Sequence, residues 1–225
     1  EKYEPFFSKG WDYELPSEQE RREKATMFYD PRGQVVRTVN PDHSEQRVIY
    51  GVPTRLDDPP LGPLETAKYR PTPWEAYTYD ANDNAGRTHA TAGAAAYRHH
   101  WNTPSNIVID SLGRTVLAVQ RNRDQPAHRS DPLPPVIEYR TRSRYDIRGN
   151  LLELADPLDR IAFTYVYDLA NRPLQSDSID AGIRHSVLDA VGNIIEQRDS
   201  KGSLILRAYD PLNRPQQIWA RNGAE

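Results

Sequence analysis

Short apolar or β-branched runs alternate along the chain with polar turn clusters, and the alternation repeats. An aromatic or aliphatic residue, then Asp, then mostly Gly or Asn three residues on, recurs seven times. The units are YDPRGQVV from Tyr29, YDANDNAG from Tyr79, IDSLGRTV from Ile109, YDIRGNLL from Tyr145, YDLANRPL from Tyr167, LDAVGNII from Leu188 and YDPLNRPQ from Tyr209. The last three steps between aspartates are 22, 21 and 21 residues, and the earlier ones are 50, 30 and 36. A fixed period of this size marks stacked units, each unable to bury its apolar face alone.

Each unit predicts a β-hairpin. Runs such as 35–39 (VVRTV) and 115–119 (TVLAV) follow the turn, and a second turn comes about ten residues later, at 155–160 (ADPLDR) or 199–202 (DSKG). Strands with turn signals every 8–12 residues indicate antiparallel sheet. The Asp is expected to accept from backbone amides two or three residues ahead. Gly or Asn at the third position supplies a positive φ. The preceding Tyr is expected to stack on the equivalent Tyr of the next repeat. On this reading Tyr29, Asp30 and Gly33, Tyr79 and Asp80, and Asp110 and Gly113 hold repeat turns. So do Tyr145, Asp146 and Gly149, Tyr167, Asp168 and Asn171, Asp189 and Gly192, and Tyr209, Asp210 and Asn213.

Three stretches interrupt the pattern. Residues 52–75 hold six prolines and predict a loop, because Pro cannot donate to a sheet ladder. Residues 90–96 (ATAGAAA) predict a helical turn or surface loop, and 124–135 hold four more prolines. Ser17 with Glu20 is a capping-box pattern for a short helix through Lys24, while 24–29 reads equally as a strand. The chain is therefore expected to be one repeat segment without a domain boundary: a lead-in over 1–25, irregular repeats over 26–144, and regular repeats over 145–225.

The units YDIRGNLLELADPLDR, YDLANRPL, LDAVGNIIEQRDSKGSLILRAYD and YDPLNRPQQIW resemble RHS/YD repeats. The segment from Lys24 to Ala220 resembles the YD-repeat region of bacterial insecticidal toxin complex B-type (SpvB-containing) proteins and related polymorphic toxins. The resemblance implies an all-β fold, an antiparallel YD-repeat hairpin array forming a curved strip or part of a hollow shell, with Pro-rich loop insertions. It implies a non-catalytic structural segment of a secreted or exported toxin, whose shell encapsulates a C-terminal toxic polypeptide before delivery. The implied partners are the remaining repeats and domains of the parent toxin, the enclosed toxin polypeptide and, through other domains, a pore-forming toxin subunit. The family's self-cleaving aspartyl site lies in a segment that this sequence does not match, so no Asp here inherits it.

Composition narrows the field. The chain has 225 residues, 37% hydrophobic, a net charge of -3 and no Cys. That excludes disulfides, thiolate metal sites and a cysteine nucleophile. No apolar run approaches the ~20 residues of a membrane span, and near-neutral charge argues against nucleic-acid binding. Low hydropathy fits a thin β wall that is wet on at least one face. The single Met is Met27 and the first residue is Glu1, so a section of a longer polypeptide is expected.

The remaining candidate residues offer little other chemistry. Adjacent His99 and His100 would point to opposite faces of a strand, the wrong arrangement for one metal. His43, His128 and His185 stand isolated. The pairs Asp57/Asp58, Asp80/Asp83 and Asp156/Asp159 could serve glycoside hydrolysis, but Asp at turns is ordinary hydrogen bonding. The stretch 80–86 (DANDNAG) is oxygen-rich yet lacks the distal Glu of a calcium loop. Arg outnumbers Lys 24 to 5, and cross-strand pairing accounts for it. The reading is thus no enzyme, cofactor or metal. The competing readings are a carbohydrate or cell-surface module using Trp74, Trp101 and Trp219, and, behind it, a hydrolase using Asp80 and Asp83.

Overall fold

A computed structural model describes residues 2–3, 10–11, 17, 23–62, 65–89, 101–124 and 131–223. Among them are fifteen strands: β1 (Lys2–Tyr3), β2 (Lys24–Tyr29), β3 (Val35–Val39), β4 (Glu45–Pro53), β5 (Tyr69–Tyr79), β6 (Ser105–Ile109), β7 (Thr115–Asn122), β8 (Ile137–Tyr145), β9 (Leu151–Ala155), β10 (Ile161–Tyr167), β11 (Pro173–Ser178), β12 (Gly182–Leu188), β13 (Ile194–Arg198), β14 (Leu204–Tyr209) and β15 (Pro215–Arg221). Among the described residues helix is confined to one turn, α1 (Ala81–Asn84), and a 3-10 turn at Thr66–Lys68. The sheet order follows the sequence from β1 to β15, and the pairing is antiparallel, as the repeat pattern requires. The chain divides into two compact units, Glu1–Gly113 with Ala118–Tyr139, and Arg114–Leu117 with Arg140–Glu225.

The second unit is a run of hairpins. Its strands are five to seven residues long from β9 onward. A register shift recurs at the same place in each repeat, just before the Tyr or Leu that precedes Asp: Arg144/Tyr145, Val166/Tyr167, Val187/Leu188 and Ala208/Tyr209. In each repeat the strand after the turn carries one extra, unpaired residue at this point, Leu152, Leu174, Ile195 or Gln216, which is a β-bulge. No described residue of this unit is fully buried. Single hairpins here share area with both neighbours rather than enclosing a centre.

The first unit has a centre. Tyr79 is 0% exposed, and Ile49 and Tyr77 are buried beside it, with Val52, Leu56 and Tyr69 packed around them. The Tyr79 hydroxyl donates to the Leu56 carbonyl at 3.2 Å, so the ring's polar end is satisfied inside. Burial pushes that phenol's pKa up. Glu45, also buried, takes Arg37 and Arg47 at 2.7 Å each.

The Pro-rich stretch departs from its expected loop. Strand β4 runs on to Pro53, and β5 opens at Tyr69, taking in Pro71 and Pro73. The register explains how. Tyr50 pairs with Ala76 but Gly51 pairs with Pro71, so residues 72–75 bulge out of the β4 ladder. Pairing with β6 begins only at Glu75. Both prolines therefore sit where β5 has no neighbour on the β6 side. Gly51 makes this close crossing possible, since a Cβ there would lie 2.5 Å from the Arg70 carbonyl oxygen. Residues 24–29 form a strand. Residues 18–22, 90–100 and 125–130 lie outside the described residues, and with them the alternative helix, the 90–96 stretch, His99, His100 and His128.

Candidate functional site

The repeated turns are built alike. In the turn from Asp146 the Asp146 amide donates to the Asn150 carbonyl at 2.9 Å, and the Gly149 amide donates to the Asp146 carbonyl at 3.2 Å. Asp146 Oδ1 accepts from the amides of Arg148 and Asn150, both at 2.8 Å. The same set recurs from Asp30, Asp168, Asp189 and Asp210. Acceptance is thus from residues two and four ahead, rather than two or three. The third residue is left-handed throughout: Gly33 at φ 79, Gly113 at 77, Gly149 at 96, Gly192 at 100, Asn171 at 63 and Asn213 at 60. At Asp110 the Gly113 amide meets the carbonyl at 3.0 Å and the Leu112 amide meets Oδ1 at 2.9 Å.

Turns without a preceding Tyr share the geometry. Asp156 and Asp199 accept from residues two and four ahead, with Asp159 at φ 59 and Gly202 at φ 78 as the left-handed residues. Asn40 to Ser44 repeats the backbone pattern, with His43 at φ 64, but there the Ser44 amide donates to Asp42 Oδ1. The sequence signal is the acidic or amide residue followed three on by a residue tolerant of positive φ.

The fourth residue after Asp was not singled out from the sequence, yet it connects the turns. Where it is Asn, its side chain donates to its own Asp and to the next turn. Asn150 Nδ2 reaches Asp146 Oδ2 at 2.8 Å and Asn171 Oδ1 at 2.9 Å. Asn193 Nδ2 reaches Asp189 Oδ2 at 2.9 Å and Asn213 Oδ1 at 3.0 Å. Where it is Arg, Nε pairs with its own Asp at 160, 172 and 214, and Nη1 reaches forward at 114 and 172. Arg172 holds Asp168 Oδ2 at 2.6 Å and the Asp189 carbonyl at 3.2 Å. Arg114 likewise donates to the Asp146 carbonyl at 2.8 Å. Turns therefore alternate, Gly-Asn at 149–150 and 192–193, Asn-Arg at 171–172 and 213–214, and each neighbouring pair from Asp146 to Asp210 is clasped. At the opposite strand ends Ser200 Oγ donates to the Ala181 carbonyl at 2.8 Å.

The carboxylates ionise easily for a local reason. Amide hydrogen bonds lower the pKa of Asp30, Asp168, Asp199 and Asp210, led by the residue four ahead. The Arg160 side chain does so at Asp156. At Asp146 and Asp189 partial desolvation is the largest single influence and opposes the shift. The Asn side chain and backbone donors together outweigh it.

Tyrosines do not stack from repeat to repeat. Among the described residues the ring pairs are Phe163–Tyr165 and Tyr165–Tyr167, within one strand. The repeat tyrosines instead reach back to the hairpin before: Tyr145 donates to the Thr115 carbonyl and Tyr209 to the Ile194 carbonyl, both at 3.1 Å. Arg114 lies over the Tyr145 ring at 4.9 Å. At Tyr145 the guanidinium thus occupies a face on which another ring would stack.

Tyr79-Asp80 is the exception among the seven units. Asp80 caps α1 in a capping box with Asp83: the Asp83 amide donates to Asp80 Oδ1 at 2.9 Å and the Asp80 amide to Asp83 Oδ2 at 3.1 Å. Asp83 Oδ1 accepts from the Thr103 amide at 2.7 Å and its hydroxyl at 3.1 Å. Desolvation pushes the buried Asp83 carboxyl up to about 6. Asn84, fully buried, donates to the Glu45 and Asp80 carbonyls at 3.0 Å each. The hydrolase pair is thus a structural lock, with N–H donors where a cation or substrate proton would have to be.

Other candidates are dispersed. Asp57 pairs with Arg55, Asp58 with Lys68, and Asp159 with Arg142. Among the described residues no group of three or more His, Asp or Glu could hold a metal ion, and no helix is long and apolar enough to cross a membrane. Trp74 and Trp219 are half-exposed on β5 and β15. A cavity of about 800 Å³ in the first unit is lined by Phe28, Tyr29, Tyr50, Tyr69, Pro60 and Pro71 among others.

No protein-family model matches the sequence, and no curated protein matches it. Solved structures do. A mutant Tc holotoxin pore of Photorhabdus luminescens aligns at TM-score 0.66 and 21% identity over 89% of this chain. A TcdB2-TccC3-TEV crystal structure aligns at 0.68 and 22% over 91%, and TcdB2-TccC3-Cdc42 at 0.67 and 21% over 89%. The chain spans about 9% of the length of those chains. The likeness shows the fold. The repeat array read from the sequence is the strand array found in these Tc toxin chains, and the resemblance to RHS/YD-repeat toxin regions holds at that level.

Proposed function

We propose that the chain is a non-catalytic wall segment of a bacterial toxin shell, which encapsulates a C-terminal toxic polypeptide before delivery. The observation that carries this reading is the unbroken series of clasped hairpins in the second unit. Its conspicuous side-chain chemistry is spent on joining one turn to the next. A wall has to be long, regular and extensible, and nearest-neighbour stacking supplies those properties without a central core. The partners on this reading are further repeats and domains of the same toxin, the enclosed polypeptide and, through other domains, a pore-forming subunit. The toxin would be secreted or exported. The test is limited proteolysis of the complete polypeptide that carries this chain. A downstream polypeptide that survives protease until residues 145–223 are deleted supports the reading. Cleavage at the rate of the free polypeptide in the intact protein refutes it.

The cavity in the first unit supports a second reading, a carbohydrate-binding module. Exposed Tyr29 and its aromatic and proline neighbours offer faces on which a sugar ring could stack. Glycan-array binding abolished by Tyr29→Ala would favour it, and a blank array removes it.

A further inference from the structure

The cavity of the first unit carries cations as well as rings. Among the described residues, strands β2 to β5 and the connections between them line it. Phe28, Tyr50 and Tyr69 supply aromatic surface, Pro60 and Pro71 aliphatic surface, and Arg32, Arg37 and Arg47 positive charge. Its volume, about 800 Å³, suits a small molecule. The charges do not balance. Asp30 pairs with Arg32 at 2.9 Å, but Arg37 and Arg47 share a single carboxylate, the buried Glu45. Arg47 is fully engaged: Nε and Nη2 donate to Glu45 Oε2 at 3.1 and 2.7 Å, and Nη1 donates to the Leu61 carbonyl. Arg37 reaches Glu45 through Nη2 alone, and its buried Nε has no acceptor. The Arg37 guanidinium lies over the Phe28 ring at 4.7 Å, and that of Arg32 over the Tyr50 ring at 5.5 Å. One positive charge is therefore left over, held among rings, on a guanidinium with a donor to spare.

We propose that this cavity binds a small aromatic monoanion, a carboxylate or sulfonate on a ring body, with Arg37 as the partner of the anionic group. The tyrosine and proline faces bed the ring, and the anion completes the charge balance that Glu45 leaves open. A charge-assisted hydrogen bond between apolar walls is stronger than the same bond in water. It also gives a buried donor the acceptor it lacks, which removes a standing cost. Ring stacking alone would serve a neutral sugar equally, and the spare charge is what selects an anion. The proposal does not depend on the toxin reading, and a blank glycan array leaves it standing.

Two fluorescent probes test it on the full chain: anilinonaphthalenesulfonate, and phenylnaphthylamine, the same ring system without the charge. The sulfonate should bind about tenfold more tightly at low salt, the scale of one hydrogen bond to a charged group. The gap should narrow as salt rises. Arg37→Gln should close it by weakening the sulfonate while leaving the neutral probe unchanged, and Arg37→Lys should keep part of it. Near-UV circular dichroism reports whether each variant is folded. Should Arg37→Gln misfold, Arg32→Gln removes one charge from the cavity without touching Glu45, and should weaken the sulfonate about threefold. The control is Arg198→Gln, at an exposed side chain of the second unit, which should change neither probe. Equal affinity for the two probes, or no binding of either at millimolar concentration, overturns the proposal. So does a gap that survives in folded Arg37 and Arg32 variants, or one that Arg198→Gln closes equally well.

Discussion

The two units use one turn motif and different means of holding together. In the first, strands of nine and eleven residues wrap a Tyr79 centre, and the polar groups Asn84, Glu45 and Asp83 are drawn inside with their partners. In the second, no described residue is fully buried, and the turns touch through Asn and Arg instead. Irregular spacing permits a local core. Even spacing permits indefinite addition, because each repeat presents to the next the same surface that it accepts.

The largest expected effect follows from this contrast. Tyr79→Ala should cost about 3–5 kcal/mol, since Tyr79 is the fully buried aromatic among the described residues, and denaturant unfolding should register it. Truncation of a second-unit aromatic such as Tyr165, which no fully buried shell surrounds, should cost clearly less. Equal costs would erase the distinction. Next comes the left-handed turn position: Gly192→Ala, at φ 100, should cost about 1–2 kcal/mol. Gly192→Asn should be milder, as Asn171 and Asn213 already serve that place. Asp168→Ala removes the acceptor of two backbone N–H groups and an ion pair at an exposed turn, and should lower the melting temperature by roughly 2–4 °C.

Proton linkage separates Asp83 from the turn aspartates by sign. The turn aspartates have folded pKa values below the unfolded value of 3.8. Their stabilisation is complete above that value and is lost as pH falls through the folded values. Asp83 is raised to about 6, so its folded form binds a proton more tightly than the unfolded chain does. Its ionisation is a cost above that pH, and the cost is relieved on acidification toward 3.8. Between pH 7 and 5 amide protection should therefore rise in β5 and β6 and hold level in β13 and β14. Asp83→Asn should abolish the rise. A parallel loss in both units on that interval would contradict these assignments.

Much of the array was legible because its chemistry is local. An Asp, two free positions and a residue that accepts positive φ are enough to fix a hairpin, and the 21–22 spacing repeats it. The clasps were not legible, because Asn150 and Asn171 meet only once the register brings successive turns together. Asp80 was read as a turn because Tyr79-Asp80 copies the pattern. The lock on Asp83 comes from Thr103, twenty residues on across the chain. Pro71 and Pro73 looked like loop residues, and the exclusion of Pro from sheets applies only to a strand edge that has a neighbour.

The central claim is that side-chain clasps between turns, rather than a core, hold the regular repeats together. A double-mutant cycle on Asn150→Ala and Asn171→Gly tests it most directly. Glycine retains the left-handed backbone at 171, so the cycle isolates the side-chain link. The account predicts single-mutant losses that fail to add, with a coupling of about 0.5–1 kcal/mol. Additive losses would contradict it.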